Sequence, residues 1–200
     1  MTHGPVALPW TRSPAAGKPA CEDPALSGLL PTSMVVTVRG ERQVDELEAG
    51  DIVVVLACAG YRPVQRVVET IVDLARRPDA APVRIAEGAF DRFSPNRTTI
   101  IAPHTLVGVD DWLVPIVALV NGRSIRTVPM SGVVRYLQLE MGDHDMIVAD
   151  GLRTGTLRRG TEPCRPLLTG GATLERLRAR LADRIPALEE AGLLAQGDDR

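Results

Sequence analysis

From Ser33 to Gly151 the chain is cut into short aliphatic runs, each closed by glycine, proline, asparagine or aspartate. Runs of about four to eight residues are too short for the helices of a packed domain, and their content of valine and isoleucine suits extended backbone. A turn signal about every 8 to 12 residues is the pattern of a sandwich or barrel. The chain is therefore expected to be all-β over most of its length.

In order, SMVVTV reads as a strand, RGER as a turn, and QVDELEAGDIVVVLA as a polar excursion leading into a second strand. The stretch RPVQRVVETIVDL is ambiguous, because Val64, Val67, Val68, Ile71 and Val72 also recur at helical spacing. Their β-branched side chains lose rotamer freedom in a helix, and strand is the preferred reading. APVRIAEGAF, TTIIA, TLVGV and LVPIVALV follow as strands, Asn121-Gly122 as a hairpin turn, VVRYLQLEM as an alternating strand, and GDHD as a further hairpin corner before MIVADG.

Both ends differ from this middle. Residues 1 to 28 carry Pro5, Pro9, Pro14, Pro19 and Pro24 without periodicity, the composition of an extended arm. After Ala172 the period becomes helical: Leu174, Leu177, Leu181, Ile185 and Leu188 recur every three or four residues, with a bend expected at Pro186. The division drawn is an arm over 1–28, a β domain over 29–160, and a linker with an amphipathic helical tail over 161–200.

Composition narrows the function. A net charge of -2 supplies no field for nucleic acid. Two Trp, two Tyr and two Phe leave few stacking surfaces and require an aliphatic core. Cys21, Cys58 and Cys164 are odd in number and lack CxxC spacing, which favours neither a disulfide framework nor a zinc site. No apolar run approaches the roughly 20 residues needed to span a bilayer, and no signal-peptide core lies near the start, so the expectation is a cytoplasmic chain without membrane partners. No phosphate loop or metal motif is present, and no cofactor is expected. The acidic pairs Asp110-Asp111, Glu189-Glu190 and Asp198-Asp199 read as solvated turns or ends.

Four segments carry a family resemblance. They are Val44, Leu47, Gly50 and Asp51 in V-x-x-L-x-x-G-D, then Pro82 to Ala89 in PVRIAEGA, then Leu113 to Ile125 in LVPIVALVNGRSI, and finally Glu140, His144, Asp145, Ala149 and Gly151. In order and spacing they resemble the bacterial Hint domains, the hedgehog/intein autoprocessing fold. The resemblance implies a pseudo-symmetric β disc. It also implies an activity in which a Cys or Ser attacks the carbonyl of the preceding residue while a histidine protonates the departing amide nitrogen.

The groups for that reaction are displaced. Counting from the first strand puts Gly28, which has no side chain, in the nucleophile slot. An ungapped count back from Leu113-Val114-Pro115 puts Ala102 on the family serine, His104 on its variable residue and Thr105 on its histidine. On a strand, a shift of one residue turns His104 to the opposite face unless a bulge corrects it. His144 does fall on a family position, where its bland reading is a turn residue bonded by Asp143 or Asp145; Gln138 stands where the family often has a second histidine. The candidate catalytic residues are therefore Ser27, one place from the slot, with His104 or His144. The leading expectation is a Hint fold with impaired or lost autoprocessing; the alternative is a protein-interaction module that uses the vacated cleft or the C-terminal helix.

Overall fold

The computed structural model describes residues 23, 26–57, 60–157 and 160–194. Among the described residues the strands are β1 (Met34–Thr37), β2 (Gly40–Gln43), β3 (Ile52–Val55), β4 (Gly60–Pro63), β5 (Arg66–Asp73), β6 (Val83–Ile85), β7 (Thr99–Ile101), β8 (Leu106–Val109), β9 (Trp112–Pro115), β10 (Ile125–Thr127), β11 (Val133–Glu140), β12 (Met146–Ala149) and β13 (Leu152–Gly155). The helices α1 (Ala172–Ala182) and α2 (Ile185–Glu190) follow.

Eight strands form one antiparallel sheet in the order β2-β1-β3-β12-β13-β8-β9, with β4 added beside β3. A three-stranded sheet, β10-β6-β7, and the long ribbon β5–β11 complete the fold. Alternation places Val35, Val53, Val55, Val107, Ile147 and Leu152 of the large sheet, with Ile85, Ile101 and Ile125 of the smaller one, in a single aliphatic core. The β12–β13 hairpin turns at Asp150-Gly151, both at positive φ (51° and 74°), as a primed two-residue turn requires. A Cβ on Gly151 would lie 2.7 Å from the Asn96 nitrogen, so glycine is needed there for space as well as conformation.

The ambiguous 62–74 stretch is extended: β5 pairs with β11 from Arg66 to Asp73. Three expectations need correction. LVPIVALV is not one strand, because β9 ends at Pro115 and residues 116–119 make a 3-10 turn that buries Ile116 and Leu119. Asn121-Gly122 does not close a hairpin: Asn121 Oδ1 accepts the N–H groups of Arg123 and Ile125, and β10 then pairs with the distant β6. GDHD is not a hairpin corner either, since β11 belongs to the ribbon and β12 to the large sheet.

The tail packs on the domain. Leu174, Leu177 and Leu181 join the main core, while Leu188 packs with Ala86 and Leu194. Burying a leucine contributes about 1.5–3 kcal/mol, so this docking is a substantial part of stability. Arg178 Nε donates to the Ala118 carbonyl at 2.7 Å, and Arg184 places Nε and Nη2 on the Gly88 carbonyl at 3.0 and 2.8 Å. Pro186 does not bend a continuous helix. The break falls at Asp183-Arg184, and proline occupies the first turn of α2, where its missing N–H costs nothing. At the other end, Leu26 and Leu29 are both buried, so the packed chain begins before residue 29.

Candidate functional site

Residues 26 to 30 run between the end of β7 and the middle of β11. Leu29 and Leu137 exchange backbone hydrogen bonds at 2.8 and 2.9 Å, and Leu29 also bridges to Ile101. Gly28 therefore lies deep in the fold, beside the turn that leads into β8. The Ala102 N–H donates to its carbonyl at 2.9 Å. The Thr105 hydroxyl completes the joint: it accepts the Gly28 N–H at 3.0 Å and donates to the Gly28 carbonyl at 3.0 Å. Gly28 and Thr105, which the Hint register puts on the nucleophile and histidine slots, are thus in direct contact.

Gly28 has a φ of 134°, a region open essentially to glycine alone. A Cβ there would stand 3.0 Å from the Leu137 carbonyl oxygen, 3.1 Å from Tyr136 Cβ and 3.2 Å from Gln138 Cγ. Gln138, the residue on the second family histidine slot, therefore reaches the same point. Its Oε1 is buried with no hydrogen-bond partner among the described residues. Ala102 is fully buried and offers no polar group.

The three candidate catalytic residues do not converge. His104 uses its backbone, not its ring: its N–H donates to the Leu26 carbonyl at 2.7 Å, and its side chain is exposed while that of Thr105 is buried. No bulge returns the imidazole to the interior. Ser27 is half-buried between the buried Leu26 and Gly28. His144 is buried elsewhere, with Nδ1 accepting the Cys164 N–H at 3.1 Å and Nε2 over Gly155, 3.1 Å from where a side chain would begin. The Asp145 carboxylate takes the Ala57 and Met146 N–H groups at 2.8 and 2.7 Å. Cys21 and Cys58 lie outside the described residues.

Several polar anchors were not singled out in the sequence. Asp150 accepts the Met34 N–H at 3.0 Å and the Thr99 hydroxyl at 2.7 Å, tying β1, β7 and the β12–β13 turn together. The Tyr136 hydroxyl donates to the Ala80 carbonyl at 2.7 Å, and burial raises its pKa well above the ordinary tyrosine range. The alternation of VVRYLQLEM was the available signal that Tyr136 turns inward, but its partner Ala80 is 56 residues away.

The arrangement limits the chemistry. Ser27 would have to attack the Leu26 carbonyl, and the His104 N–H is placed to polarise that oxygen. The departing atom would be the Ser27 nitrogen, yet Thr105 addresses the nitrogen of Gly28, one residue further on. The Thr105 proton is also already directed at the Gly28 carbonyl, so this hydroxyl is not poised as a base. Among the described residues no three His, Cys, Asp or Glu side chains gather as metal ligands, and no helix is long and apolar enough to cross a membrane.

Among curated proteins none matches the sequence. Solved structures similar to this chain include the MchDnaB-1 intein, with 16% identity over 64% of this chain and 98% of that one and a TM-score of 0.45. A DnaB intein from Synechocystis sp. PCC 6803 shows 13% identity over 66% and 99%, with a TM-score of 0.48. A bacterial intein-like domain from Clostridium thermocellum shows 10% identity over 66% and 99%, with a TM-score of 0.45. The family profile described as the Hint domain matches residues 27–161, more than half of the sequence, and begins one residue before the Gly28–Thr105 joint. The chain belongs to the Hint domain family.

Proposed function

We propose that this is a Hint domain that no longer processes its own chain, and that the ancestral cleavage junction has become a structural joint. The observation that carries this reading is the reciprocal pair of hydrogen bonds between Gly28 and Thr105. Covalent catalysis has no route from a residue without a side chain. The adjacent hydroxyl, on Ser27, has no proton donor aimed at its own amide nitrogen among the described residues; of the two candidate histidines, His104 is exposed and His144 takes the Cys164 N–H. Residues upstream of the junction are also held: Leu26 is buried, and Asp23 receives Arg77 Nη2 at 2.9 Å.

The tail leucines support a clasp and not a docking element, because Leu174, Leu177, Leu181 and Leu188 are already buried against their own domain. A reporter protein fused to the N-terminus tests the proposal. Incubation with thiol or hydroxylamine should leave the fusion at full length on a denaturing gel, in the wild type and in Ser27→Ala alike. Time-dependent reporter release that disappears in Ser27→Ala would overturn the proposal.

A further inference from the structure

The outer face of the β10-β6-β7 sheet carries an unusual pairing. The register sets Arg126 opposite Arg84, and Arg84 opposite Ile100. Ile125, Ile85 and Thr99 alternate with them and face inward. Directly opposed residues of antiparallel strands have Cβ atoms about 4.5–5.5 Å apart, and like charges in such positions are destabilising. Both arginines are half-buried, which limits relief by solvent. Other arginines of the chain do meet carboxylates: Arg135 of β11 meets Glu69 of β5, Arg97 meets Glu41, and Arg180 meets Asp110. Among the described residues no carboxylate comes within ion-pair distance of Arg84 or Arg126. The polar neighbour of Arg84 is the Thr98 hydroxyl, at 3.5 Å. Burial first, and the Arg126 charge second, hold the Arg84 guanidinium below the ordinary arginine value, as expected where no counter-charge is built in.

We propose that Arg84 and Arg126 form a binding site for a phosphate-type dianion, either inorganic phosphate or a phosphomonoester. The register puts two guanidinium side chains side by side on one face; guanidinium N–H forks suit tetrahedral oxyanions, and a dianion neutralises both charges where a single carboxylate would leave one. Thr98 adds a hydroxyl donor at the edge of the pair, and Ile100 on the other side brings no competing group. With a net charge of -2 the chain lacks a broad positive field, so a compact ligand fits the face better than a long polyanion.

The full-length chain is tested by thermal unfolding in chloride, acetate, inorganic phosphate and phenyl phosphate at equal ionic strength. Phosphate at about ten times its dissociation constant should raise Tm by about 3 °C or more. That shift should vanish in Arg84→Gln and in Arg126→Gln and persist in Arg39→Gln, an exposed arginine remote in the fold. In chloride the two site variants should be at least as stable as the wild type, because each relieves the repulsion. Broadening of the phosphate 31P resonance by the wild type, lost in both site variants, gives a readout independent of stability. A response to phenyl phosphate assigns phosphomonoesters as ligands, and a response to inorganic phosphate alone assigns the free anion. No shift in the wild type, equal shifts with acetate, or equal shifts in all variants would overturn the site.

Discussion

Replacing Gly28 with alanine separates a joint that tolerates only glycine from an ordinary loop. Two terms add. Holding a residue with a side chain at a φ of 134° costs about 1–3 kcal/mol. The new Cβ would also press on the Leu137 carbonyl at 3.0 Å and Tyr136 Cβ at 3.1 Å, and overpacking of this kind costs about 1–3 kcal/mol more. Gly28→Ala should therefore lose about 2–6 kcal/mol, a large part of the roughly 5–15 kcal/mol that holds a typical domain together. Gly40→Ala is the internal control, because Gly40 has a φ of 100° but nothing within 4 Å of its would-be Cβ, so it isolates the backbone term. Urea denaturation measures both, and the midpoint should fall much further for Gly28→Ala with the slope unchanged. A Gly28→Ala variant within about 0.5 kcal/mol of the wild type, the range of an ordinary surface substitution, or one that costs no more than Gly40→Ala, would refute a glycine-only joint.

Three further perturbations probe other contacts. Thr105→Val keeps the shape but leaves the buried Gly28 N–H without its acceptor, and should cost about 1–3 kcal/mol in the same assay. Leu181→Ala removes a side chain that is 1% exposed and should cost about 2–5 kcal/mol, whereas a tail free to dock elsewhere would lose almost nothing. Because burial raises the Tyr136 pKa, the folded state keeps its phenol protonated. That contribution is complete below the unfolded tyrosine value of about 10 and is lost as pH rises above it. Stability measured by urea between about pH 9 and 12 should fall less steeply in Tyr136→Phe than in the wild type.

How far the fold could be read from sequence depended on how local the determining contacts were. Aliphatic runs bounded by turn residues identified β3, β8 and β12, clean alternation identified β11, and β-branching correctly decided β5 against its helical spacing. The errors share a cause. Ile116 and Leu119 continue an apolar run but bury themselves from a 3-10 turn. Asn121-Gly122 has hairpin chemistry, yet its side chain caps the following turn and the next strand pairs with β6, some forty residues earlier. Counting along the Hint motifs set Gly28 and Thr105 on corresponding slots, and the two are bonded to each other across 77 positions of sequence. The surroundings of His144 were not legible, since the N–H that fixes its ring belongs to Cys164, 20 residues on in a segment without periodicity.

Intact-mass spectrometry of the purified full-length chain, before and after overnight incubation with a strong thiol nucleophile, tests the loss of self-processing most directly. A chain that no longer processes itself gives one unchanged mass, that of the uncleaved chain. A new species beginning at Ser27 or Gly28, growing with time and accelerated by thiol, would contradict that loss and show that the junction is still chemically alive.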